Sequence, residues 1–234
     1  MLTELDHHIR EVLTSDVLRA IAILQGLTRY LRIRFGGAEW ETNFANVWRT
    51  LAQELHDGAS LYMEGMGDNK PPLFELLNFL LGGLPNHGLV FLVMTGVANG
   101  AVALLLWQLV SDEHENWAGL TTAGVWLFII SIVNGTHINV RSFALVGILG
   151  SLYVGSDQPV MRGSAIAMAG LFSQYAILFI PALAWDSIRR LQPKQRVRWL
   201  TTFAGSGILV LIGAFGIVGA VWGSRAALAG LYWS

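Results

Sequence analysis

The chain has 234 residues, 53% of them hydrophobic and 13% charged, with a formal net charge of −1 and no cysteine. Near-neutrality removes the basic field that a nucleic-acid partner needs, and the lack of cysteine removes disulfides, thiolate metal sites and cysteine nucleophiles. Because the apolar residues run in long blocks rather than alternating stripes, the chain reads as an all-α, polytopic transmembrane bundle forming a single membrane domain over residues 1–234.

Residues 1–16 mix Glu4, Asp6, Glu11 and Asp16 with Arg10 and lack the basic start of a signal peptide, which predicts a short cytoplasmic helix. Asp6, His7 and His8 have no metal-ligand spacing. Apolar blocks then predict about seven spans, near 17–34, 72–84, 88–110, 117–133, 140–154, 162–185 and 199–222; the second and fifth are short for a full crossing. Arg189, Arg190, Lys194, Arg196 and Arg198 crowd the 186–198 loop, whereas Asp112, Glu113 and Glu115 follow the third span. The positive-inside rule therefore makes 186–198 cytoplasmic, the N-terminus cytoplasmic, and residues 36–72 an outer loop. Arg29, Arg32 and Arg34 lie at the outer end of the first span, where they either snorkel to head groups or meet an anion.

The outer loop departs from its surroundings, with Glu39, Glu41, Glu54, Asp57, Glu64, Asp68 and Lys70 close together. Phe44, Val47, Trp48, Leu51 and Leu55 fall on one helical face, with Thr42 as N-cap and Gly58 as terminator. That pattern predicts an amphipathic helix lying in the outer interface. Asp68-Asn69-Lys70-Pro71-Pro72-Leu73 follows, and the two prolines set a rigid entry to the second span. By spacing alone Lys70 is either a snorkelling or locally paired ammonium or an anion contact.

Further on, His137 and Arg141 form a polar break between spans four and five, counted as a cytoplasmic connector unless the second span fails to cross. Gln174 and Tyr175 in span six read as buried interhelical hydrogen-bonding groups. Gly205, Ser206, Gly207, Gly213, Gly216 and Gly219 in the last span suit close helix approach. No Gly-rich nucleotide loop is present, which disfavours a soluble nucleotide-sugar donor.

The run from Glu39 to Phe74 resembles the first outer loop of the GT-C glycosyltransferases, in the branch of protein O-mannosyltransferases and aminoarabinose transferases. The matching parts are Glu41-Thr42-Asn43-Phe44, the helix to Leu55, Gly58 with Tyr62, and Lys70-Pro71-Pro72-Leu73, and 29 positions separate Glu41 from Lys70. The resemblance implies transfer of a sugar from a polyprenyl-phosphate donor to an acceptor at the outer membrane face, with inversion. It implies Glu41 as general base with Glu39 as its rival, and Lys70 as the donor-phosphate contact. Arg34 and Arg32 would be further phosphate contacts by position, and Asp68, Asn69 and Tyr62 would support the loop. No cofactor is required by these residues, and a divalent cation is a further candidate. Membrane lipid and a membrane partner subunit are the other expected partners, because the chain resembles only the donor-binding half of the longer family members. The competing expectation is a non-catalytic membrane protein: a lipid-binding subunit, a degenerate transferase half or a small transporter.

Overall fold

The computed structural model describes residues 48–62, 70–84, 87–133 and 140–233. The described residues are mostly helical, with no strand among them. In chain order the helices are α1 (Thr50–His56), α2 (Pro72–Gly82), α3 (His87–Ser111), α4 (Asn116–Val133), α5 (Val140–Tyr153) and α6 (Pro159–Phe172). A 3₁₀ turn (Gln174–Phe179) leads to α7 (Ile180–Ile188), α8 (Pro193–Trp222) and α9 (Ser224–Trp233). Prolines set three of the starts: Pro72, Pro159 and Pro193 each open a helix, where the missing N–H has no partner to lose.

The contacts divide the chain into two units, one of Met1–Trp40 with Gly88–Asn139 and one of Glu41–His87 with Val140–Ser234. In the first, α3 and α4 pack through Ala103, Trp107, Ala123 and Leu127. Trp107 Nε1 donates to Asn116 Oδ1 (2.6 Å), closing the connection between them. Trp126 Nε1 reaches the Asn99 carbonyl (3.2 Å), while the Asn99 side-chain amide is fully buried with no hydrogen-bond partner among the described residues.

The second unit is built on α5, α6 and α8. Ala144 and Ile148 of α5, Ile166 and Ala169 of α6, and Trp199 and Phe203 of α8 share one core, and Trp199 stacks on Phe203 at 4.9 Å. Small residues permit the approach: a Cβ on Gly147 would lie 2.8 Å from Ala169 Cβ, and one on Gly163 would collide with the Phe203 carbonyl. Of the glycines singled out on the last span, Gly207 faces this crossing and Gly219 faces Ala227, but Gly205, Gly213 and Gly216 have nothing within 4 Å of a Cβ. Those three meet no neighbour among the described residues.

Two helical stretches, Val93–Ser111 and Pro193–Trp222, are long and apolar enough to cross a membrane. The others described are shorter, so the bundle of about seven spans expected from sequence, two of them short, is matched by two full-length candidates among the described residues, and the first expected span, 17–34, lies outside them. The 11 residues of α2 rise only about 16 Å and the 14 of α5 about 21 Å, against a hydrocarbon core of about 30 Å. The predicted sixth span is broken. Its helix stops at Phe172, Ser173 is extended (φ −156°, ψ 119°), and Pro181, which cannot donate to the preceding turn, sits at the start of α7. Tyr175 in the break is 59% exposed rather than buried, and the Arg141 guanidinium lies 6.0 Å from its ring centroid. Helix α9 has no counterpart in the sequence reading, which ended its last span at Trp222.

Candidate functional site

Of the amphipathic helix expected over residues 44–55, the part from Trp48 onward lies among the described residues, with α1 spanning Thr50–His56. Leu51, Ala52 and Leu55 of α1 are buried, and the chain leaves through Gly58 at φ +98°, a left-handed value suited to glycine. α1 lies against α2: Trp48 meets Phe74 edge-on at 5.1 Å, Asn78 Nδ2 donates to the Trp48 carbonyl (2.9 Å), and His56 Nε2 donates to the Phe79 carbonyl (2.9 Å). The approach is close enough that a Cβ on Gly82 would fall 2.6 Å from Ala52 Cβ.

Beyond Gly58 the loop turns inward. Leu61 is buried, and Tyr62 is held at φ +62°, a left-handed conformation that is uncommon for an aromatic residue. Two contacts hold it there. The Tyr62 hydroxyl donates to the Lys70 carbonyl (2.8 Å), and its ring lies against Gly230 of α9, where a Cβ would come within 2.7 Å of the ring. The backbone of Lys70 is thereby fixed to a core that includes Leu76, Val218 and Ala226. Pro71 is extended (φ −62°, ψ 155°), Pro72 takes the first helical position, and the Phe74 N–H returns to the Pro71 carbonyl at 3.1 Å. Lys70 itself is half-buried.

The structure thus joins two of the predicted residues, Tyr62 and Lys70. Glu39, Glu41, Arg32, Arg34, Asp68 and Asn69 lie outside the described residues. Among the described residues no three His, Asp or Glu side chains gather into a set that could hold a metal ion. Sequence reasoning passed over Glu75 and Asn78, both fully buried on α2. Their spacing of three residues, in a helix otherwise apolar, was the available signal. His87, also buried, is pushed down to about 4 by burial and by Arg49 and His56 nearby.

Pro71 and Pro72 also line an apolar groove of about 350 Å³. Its walls are the small-residue faces of α6 and α8, including Gly163, Gly170 and Gly207, and Gln174 is its one polar side chain. Here the broken sixth span has a structural place, since non-helical backbone at membrane depth is tolerated where it lines a cavity.

A second polar cluster joins the end of α5, the start of α6 and the end of α7. Arg162, 3% exposed, donates from Nε to the carbonyls of Ser151 (2.8 Å) and Val154 (3.0 Å), satisfying the end of α5, and also bonds the Ser187 hydroxyl. Asp186 accepts from Arg189 (2.9 Å) and Arg190 (3.0 Å). Burial alone would raise the Asp186 carboxyl, but these hydrogen bonds and the charges of Arg190 and Arg162 outweigh it, so it lies below its ordinary value. Since α5 ends in this cluster, Arg141 at its start lies at the far end of α5 from the basic loop.

Comparison with known protein families, curated proteins and solved structures finds no match to this chain.

Proposed function

We propose that the chain is an integral membrane glycosyltransferase of the GT-C kind, taking a sugar from a polyprenyl-phosphate donor at the outer face of the membrane. The observation that carries this reading is the place of Lys70 in the chain, directly before Pro71 and Pro72, which form part of the wall of the apolar groove. A prenyl chain is apolar and its phosphate anionic, so such a pairing suits both ends of the donor.

The membrane setting is supported by α8. Only 11% of its apolar window is buried, and Leu209, Ile212 and Ile217 are 70%, 63% and 53% exposed. A face of that kind in water would be a large apolar patch, whereas in lipid it is ordinary. The 30 residues of α8 rise about 45 Å. One end meets the Tyr62 core through Val218, and the other is the basic turn, where Trp199 Nε1 donates to the Ser156 carbonyl (2.7 Å). This separation fits an outer loop and a cytoplasmic basic loop, with the N-terminus cytoplasmic.

In the proposed reaction Glu41, or Glu39 beside it, takes the proton of the acceptor hydroxyl as its oxygen attacks the anomeric carbon. The bond from that carbon to the phosphate oxygen breaks with inversion, and Lys70, with Arg32 and Arg34, offsets the charge on the departing lipid phosphate. A groove of this kind would equally serve a lipid-binding subunit without chemistry, so the test must separate the two. Release of polyprenyl phosphate from a labelled donor should be measured in proteoliposomes with candidate acceptors. Glu41→Gln is expected to lower the rate by about 10² to 10⁴-fold, and Glu39→Gln by less. Donor binding without release by wild type, in membranes supplying partner proteins, selects the non-catalytic reading. Full activity of the double variant overturns the mechanism.

A further inference from the structure

The turn between α7 and α8 takes no part in the proposed transfer, yet its charges are arranged. Asp186 Oδ1 accepts from both Arg189 and Arg190, at 2.9 and 3.0 Å, and Oδ2 faces the buried Arg162 at 3.5 Å. One carboxylate is therefore shared by three guanidinium groups, leaving a local surplus of positive charge. The side chains of Arg189 and Arg190 are 55% and 58% exposed, and only one nitrogen of each is engaged by Asp186. Lys194, Arg196 and Arg198 follow, all exposed. Large apolar side chains flank the basic residues, with Trp185 66% and Val197 69% exposed.

A merely solvated charge run explains neither feature. It has no need of a carboxylate holding two arginines together, anchored in turn to a buried arginine that binds the end of α5. Nor does it need an exposed tryptophan beside it. Two adjacent guanidinium groups with free donors match a phosphate diester in shape and charge, and tryptophan beside them is the usual company of a lipid head-group region. We infer that this turn binds the phosphate of anionic phospholipids, with Arg189 and Arg190 as the paired phosphate contacts and Trp185 at the glycerol level. Lys194, Arg196 and Arg198 add attraction to the anionic surface. The inference rests on the membrane part of the proposed function and is independent of sugar transfer.

The test uses the full chain reconstituted in phosphatidylcholine bilayers containing spin-labelled phosphatidylglycerol or spin-labelled phosphatidylcholine. The anionic probe is expected to associate with the protein roughly fivefold more strongly, the equivalent of about 1 kcal/mol in all, which is the attraction of a single basic residue to an anionic surface, and high salt should reduce the preference. R189Q/R190Q is expected to lose most of it. R189K/R190K, which keeps the charges, should retain a measurable part and controls for damage to the fold. Equal association of the two probes with wild type, in protein that is inserted, overturns this inference and leaves the membrane reading intact. Unchanged preference in R189Q/R190Q also overturns it. So does complete competition by inorganic phosphate at constant ionic strength, which would assign the arginines to a soluble anion. Extraction of the protein from bilayers by alkaline carbonate would overturn the membrane reading and this inference with it.

Discussion

Asn99 and His87 show how much a single buried polar group decides in this chain. Asn99 sits in the stretch of α3 suited to crossing a membrane, with its amide buried and unpartnered among the described residues. Asn99→Leu is expected to raise stability by about 1–2 kcal/mol, because it removes an unmet desolvation cost at similar volume. Unfolding titrations in detergent measure this, and a loss of stability would show that the amide holds a partner. His87 precedes that stretch, and its folded value of about 4 lies below the ordinary 6.5. The unfolded chain therefore takes up the proton first as pH falls. The stabilising contribution is complete above about pH 6.5 and drains away towards pH 4. The melting temperature of wild type should fall across that window more steeply than that of His87→Gln, and parallel curves would place His87 in solvent. Neither residue was legible in the sequence as special. A lone Asn or His in an apolar run looks the same whether it is satisfied or not, and only the surrounding contacts distinguish the cases.

At the scale of the elements, composition and proline position set most of what was legible. The start of α2, the length of α3 and the exit of α1 at Gly58 follow from local chemistry, and each appears where that chemistry puts it, whereas α8 starts at Pro193, within the stretch 186–198 read as a loop. The broken sixth span did not, because its hydropathy is continuous across Ser173 and the break depends on Pro181 and on the groove beside it. Glycine roles were illegible for a related reason: a sequence shows spacing but not which face meets a neighbour. This gives a matched test. Gly163→Ala places a methyl group against the Phe203 carbonyl and should destabilise by about 1–3 kcal/mol. Gly213→Ala, with nothing within 4 Å, should stabilise by roughly 0.5–1 kcal/mol through helix propensity. Thermal unfolding of the two variants checks the signs, and equal effects would remove the α6–α8 crossing from the account.

For the whole molecule, the sequence carried the class, all-helical and apolar. It did not carry the groove, whose walls come from α6 and α8, far along the chain from Lys70, and which no local pattern announces. The arrangement predicts a topology. In the cysteine-free background, single cysteines at Gly58 and Gln192 should be labelled by an impermeant reagent from opposite sides of the membrane, since they lie near opposite ends of α8. Labelling of both from one side would remove the outer-face chemistry.

The central claim, that Lys70 and the groove together hold a polyprenyl-phosphate sugar, is tested most directly by equilibrium binding of that donor to the purified full chain. Lys70→Met keeps the aliphatic stem and deletes the charge, so the account predicts weaker binding by about 1.5–3 kcal/mol, roughly 10- to 150-fold, with the fold intact. Unchanged affinity in well-folded Lys70→Met protein would contradict the claim.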